Sequence, residues 1–149
     1  MRKVFINANS LFEGNVSAGD NVLVISFNAK ESADEVRSAV SKYGATCEVA
    51  FVSCDEYEDV LSFSRQMRDV AVLLSDGDRV FADITGIHPC SAVALFAALN
   101  YASKVCPGLR VDTIMFGNDE VTGLAHLLAI TSAATNREAT DSLLRFIIG

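Results

Sequence analysis

The sequence predicts an α/β domain, a Rossmann-like three-layer sandwich around a mostly parallel central sheet, and three observations predict it. Short continuous apolar runs alternate with helical stretches at the spacing of βαβ units. Those runs lack the polar alternation of a half-exposed sheet, so both faces of the strands are expected to be covered. The chain has 149 residues, the length of one domain, and at that size about 70% of the unfolded surface can be buried.

Val22-Leu23-Val24-Ile25, after the turn signal Gly19-Asp20-Asn21, is the first clear strand. Ser32-Ala33-Asp34-Glu35 is a capping box, in which a hydroxyl and a carboxylate each satisfy a free backbone N–H. Ala33, Val36, Val40 and Tyr43 then share one helical face, and Gly44 is placed to end that helix. Val49-Ala50-Phe51-Val52 reads as the next strand. Asp55 to Glu58 repeats the capping pattern, and Val60, Ser64, Met67, Ala71 and Leu74 recur as the apolar face of a long helix. Ser75-Asp76-Gly77-Asp78 ends it, and Arg79 to Ile84 is a third strand. Pro89 suits the first position of the apolar helix that follows, where its missing N–H costs nothing. Pro107-Gly108 stops that helix, and Val111 to Phe116 reads as a fourth strand.

The ends read less simply. Val4-Phe5-Ile6 resembles a strand, but Asn9 to Asn21 carries no convincing helix, so residues 1–21 are expected to be a hairpin or an edge addition. Leu124 to Ile130 suits either a strand or a helix, and Asn136 could cap a final helix bearing Ala139, Leu143, Leu144 and Ile147. Residues 118–149 are thus a C-terminal extension, a candidate helical linker.

Nineteen acidic residues against twelve basic ones leave a formal charge of −7. Such a surface repels phosphate backbones, which argues against non-specific grip on duplex nucleic acid. A phosphate in one local pocket stays compatible, since net charge describes the far field. Cys47, Cys54, Cys90 and Cys106 form no C-x-x-C pair and are accompanied by two histidines, which argues against structural zinc. Free thiols in a reducing cytoplasm are expected, with no metal and no organic cofactor. Asp55, Glu56, Glu58 and Asp59 favour a helix start electrostatically. Met1-Arg2-Lys3-Val4 lacks the apolar run of a signal peptide. Cys90 to Val105 is apolar but shorter than the ~20 residues of a membrane span, so no membrane association is expected.

Ligands of open α/β sheets bind beyond the carboxyl ends of the strands, which directs attention to two loops. One is Ser26-Phe27-Asn28-Ala29-Lys30; the other is Asp83-Ile84-Thr85-Gly86-Ile87-His88, leading into Pro89-Cys90-Ser91. The second joins a carboxylate, a hydroxyl, a glycine and a histidine to a helix N-terminus, a place attractive to anions. It reads equally as a glycine turn in which Asp83 and Thr85 bond to local backbone. His126, among Leu124, Leu127 and Leu128, reads as a core or surface histidine.

The run Val80-Phe81-Ala82-Asp83-Ile84-Thr85-Gly86, followed by the small-residue helix Ser91-Ala92-Val93-Ala94-Leu95-Phe96-Ala97-Ala98-Leu99, resembles the signature of CRISPR-associated Rossmann-fold (CARF) domains. The likeness extends over about Val22 to Phe116, and its diagnostic part is Asp83 to Ser91. Asp83, Thr85 and Gly86 match the family's Asp-x-Thr-Gly-Gly strand end; Ile87 replaces the second glycine, and His88-Pro89 replaces the usual polar residue and lysine. The resemblance implies a homodimer that binds cyclic oligoadenylate, as tetra- or hexa-adenylate, across its two-fold axis in type III CRISPR antiviral defence. It implies ligand contacts at Asp83, Thr85, Gly86, Ile87, His88 and Ser91, with Ser26, Asn28 and Lys30 from the first loop. His88 stands in partly for the missing lysine, and the chain is expected to be a sensor without an effector, a degrader of the messenger, a shortened form, or a subunit joined to its effector in trans. Two alternatives accompany this expectation: a metal-independent ring nuclease, in which Thr85, His88 or Lys30 would stabilise developing charge, and an interaction scaffold with a vestigial nucleotide pocket. A Rossmann-like module for an ordinary mononucleotide ranks lower, because no G-x-G-x-x-G or Walker A run is present.

Overall fold

A computed structural model describes residues 1–53 and 60–123. Its core is a six-stranded sheet in the order β3-β2-β1-β4-β5-β6. The strands are β1 (Arg2–Ile6), β2 (Asn21–Ser26), β3 (Thr46–Phe51), β4 (Arg79–Asp83), β5 (Arg110–Phe116) and the short β6 (Asp119–Glu120). Three helices connect them: α1 (Ala33–Ser41), α2 (Val60–Ala71) and α3 (Pro89–Val105). The first five strands are mutually parallel, and β6 returns antiparallel to β5. This is the Rossmann-like arrangement the alternating pattern predicts.

Strands β1, β2 and β4 bury both faces, and their alternation sorts the core into two layers. Val4 and Ile6 of β1, Leu23 and Ile25 of β2, and Val80 and Ala82 of β4 form one layer with Val70 of α2 and Leu95, Phe96 and Leu99 of α3. Phe5, Val22, Val24 and Phe81 form the other, covered by Val36 and Val40 of α1 and by Ala8, Phe12 and Val16. Phe5 is fully buried, stacked on Phe81 at 4.8 Å and met edge-on by Phe12 at 5.0 Å.

The N-terminal segment departs from the expected hairpin or edge addition. Instead, β1 lies at the centre, parallel to β2 on one side and β4 on the other. Its crossover to β2 carries only a single 3-10 turn, Asn9–Leu11. Where a helix would lie, Ala8, Phe12 and Val16 cover the sheet from an irregular segment, which is why helical periodicity gave no sign of a crossover. Lys3 anchors that segment: its Nζ donates to Asp20 Oδ2 at 2.8 Å and to the Asn15 carbonyl at 2.6 Å.

Helix α1 follows its sequence signals. Ser32 is the N-cap and accepts from the Glu35 N–H at 3.4 Å, and Gly44 takes the left-handed φ of +79° after the last turn. Strand β3 begins three residues before the apolar run, at Thr46. Helix α2 is rotated relative to expectation: Ser62, Gln66 and Val70 are its buried line, Ser64 is exposed, and Met67 and Ala71 are only partly buried. Polar Ser62 and Gln66 occupy the contact face, so the apolar spacing pointed to its flank. In α3 the small residues Ala92, Ala94, Ala98 and Ala102 are all buried, allowing close packing on the sheet. No helix among the described residues is long and apolar enough to cross a membrane. Cys47, Cys90 and Cys106 form no disulfide among the described residues. Cys54, the acidic run 55–59, His126 and the expected elements beyond 123 lie outside the described residues.

Candidate functional site

The sheet order places β1 and β4 side by side while their connections leave in opposite directions, to β2 and to β5. Their carboxyl ends therefore open a crevice at the point where strand order reverses. A cleft of about 650 Å³ occupies that crevice, lined by Asn7, Asn9, Ser10, Phe27, Asn28, Glu31, Thr85, Gly86, Ile87, His88 and Ser91. Three strand-end loops build it.

The β1 loop is tied to its neighbour by Asn7. Its φ of +50° is the left-handed conformation that asparagine tolerates better than most residues. The Asn7 N–H donates to the Ile25 carbonyl at 3.0 Å, and its Oδ1 accepts the Phe27 N–H at 2.9 Å. These two bonds tie the ends of β1 and β2 together. Asn7 Nδ2 is buried with no hydrogen-bond partner among the described residues.

The β2 loop folds on itself. Ser26, 1% exposed, accepts the Asn28 N–H on its Oγ at 3.1 Å, and Asn28 Oδ1 accepts the Lys30 N–H at 3.0 Å. Glu31 closes this loop, and its Oε2 accepts from Asn9 Nδ2 at 3.2 Å, bridging to the β1 loop. Glu31 and Asn9 also line a second cleft of about 400 Å³ between α1 and residues 9–12, so this bond stands where the two clefts meet.

The β4 loop is organised by its own polar groups. Asp83 Oδ1 accepts the Thr85 N–H at 2.8 Å, and Thr85 Oγ1 accepts the Gly117 N–H at 2.7 Å from the β5–β6 turn. Asp83 thus bonds to local backbone, as the glycine-turn reading has it, whereas the Thr85 hydroxyl reaches the turn after β5, 32 residues away. Thr85 keeps its hydroxyl proton for a further acceptor. Gly86 adopts a φ of +74° with no atom within 4 Å of the position a Cβ would take, so the loop turns sharply beside open space. His88 is the N-cap of α3: its Nδ1 accepts the Cys90 N–H at 3.1 Å. With Nδ1 an acceptor, the neutral ring carries its proton on Nε2. Pro89 has no N–H and that of Cys90 is bonded to His88, so the helix end offers fewer amides than its sequence suggested.

Six of the nine expected contact residues therefore share one cleft: Asn28, Thr85, Gly86, Ile87, His88 and Ser91. Ser26, Asp83 and Lys30 are not among its lining residues. The first two shape the loops, and Lys30 is exposed. Sequence reasoning passed over Asn7, Asn9, Ser10, Phe27 and Glu31. The signal was the polar run Asn7-Ala8-Asn9-Ser10 after Ile6, which gains meaning once β1 is known to be central. Among the described lining residues Glu31 carries the one full charge. Amide, hydroxyl and imidazole groups supply the rest of the polar surface.

The chain matches no family model, and neither the curated proteins nor the solved structures contain a match to it.

Proposed function

We propose that this protein is a CARF-like sensor that binds cyclic oligoadenylate in type III CRISPR defence, at a site completed by a second copy of the chain. The observation that carries the reading is the coincidence of motif and crevice: Thr85 and Gly86 of the Asp83-Ile84-Thr85-Gly86 run line a cleft at the strand-order reversal, beside the N-terminus of α3. The volume, about 650 Å³, is that of a site for a drug-sized ligand. A macrocycle of several nucleotides exceeds it, so a ring demands a second cleft facing the first across a two-fold axis. Thr85 Oγ–H is a donor suited to a phosphate oxygen, and His88 lines the cleft at the position of the absent lysine.

Calorimetry, thermal unfolding and sedimentation with cyclic tetra- and hexa-adenylate test the proposal. One ring is expected to bind per two chains. At a ring concentration a hundred times Kd the folded state gains about 2.7 kcal/mol, a rise of roughly 5–10 °C in a chain of this size. Absence of heat and of a thermal shift with both rings overturns it. Product analysis after long incubation distinguishes a sensor, which leaves the ring intact, from a ring nuclease.

A further inference from the structure

We infer that Glu31, held by Asn9, is the specificity-determining acceptor of this cleft and reads a hydroxyl or amino N–H donor of the nucleoside part of the ligand. The inference rests on the nucleotide-binding reading above. Its basis is a juxtaposition: a carboxylate lines a cleft whose other described lining side chains carry no full charge. A carboxylate accepts hydrogen bonds and donates none, and near a phosphodiester it repels. It fits a bound nucleotide only if the ligand turns a donor toward it.

The local geometry prepares Glu31 for that role. Asn9 Nδ2 holds Oε2 at 3.2 Å, which fixes the carboxylate between the β1 and β2 loops. Oε1 has no hydrogen-bond partner among the described residues. Glu31 lines both the switch-point cleft and the second cleft beside α1, the latter lined in part by Phe12 and Tyr43. A nucleotide with its phosphate near Thr85 and His88 would extend its sugar and base toward this junction. The ribose 2′-hydroxyl and the adenine exocyclic amine are the donors such a ligand offers.

Titration calorimetry on the wild-type chain and Glu31→Gln tests the inference, using whichever adenylate ring binds, its all-2′-deoxy counterpart and its inosinate counterpart. In Glu31→Gln, Asn9 selects the amide oxygen and leaves an N–H₂ group facing the ligand's donor. Loss of a charge-assisted hydrogen bond is expected to weaken the adenylate ring about 10- to 100-fold, with an unchanged unfolding temperature. The analogue that binds the wild type weakly, and gains least from Glu31, identifies the donor as hydroxyl or amine. Equal or tighter adenylate binding by Glu31→Gln, with the wild type still binding, overturns the acceptor role and leaves the sensor reading standing. A wild-type chain that binds no ring overturns both.

Discussion

His88 shows how a single residue can serve fold and site together. Its Nδ1 caps α3 by accepting the Cys90 N–H, and the same residue lines the cleft. Removing an N-cap acceptor costs about 1 kcal/mol, so His88→Ala is expected to lower the unfolding temperature by about 2–4 °C. His88→Asn restores an acceptor at the cap and should recover most of that loss in the same thermal scan. Asp20 works through charge. The hydrogen bond from Lys3, helped by the Ser17 N–H, holds its carboxyl below the ordinary carboxylate range. A lowered folded pKa means the bond stabilises the fold above about pH 4 and is lost as pH falls through the folded value. Asp20→Asn is therefore expected to be less stable than the wild type at neutral pH. Denaturant titrations at decreasing pH should show that gap closing in acid; a constant gap would place the contribution of Asp20 elsewhere.

At the scale of elements, β1 is decisive. An edge strand would expose part of Phe5, whereas here the ring is fully buried between Phe12 and Phe81. Truncating a buried Phe to Ala costs about 3–5 kcal/mol, and Phe5→Ala is expected to fall in that range by chemical denaturation. A cost near 1 kcal/mol would match an edge position. Elements with their own local signals were legible in the sequence: Ser32 and Gly44 bracket α1, and Pro89 opens α3. The central place of β1 was hidden because its crossover has no helical period, and the buried face of α2 because polar Ser62 and Gln66 lie on it. In both cases a tertiary contact outweighed the local pattern.

Over the whole molecule, the site is a consequence of strand order. The motif loop after β4 was visible as a string of residues, and its Thr85, Gly86, Ile87 and His88 share the cleft with two predicted companions, Asn28 and Ser91. The residues facing them from β1 and β2, Asn7, Asn9 and Glu31, lie far away in sequence and meet the motif only because β1 sits beside β4. The sequence by itself determined the layered α/β class, since strand and helix periodicities and caps are local properties written within a few residues. Tertiary structure alone decided which loops converge and which polar groups remain for a ligand. Asp83 and Ser26 are spent on local bonds, and only packing across the sheet brings Glu31 to the rim, because such contacts depend on neighbours that no local pattern encodes.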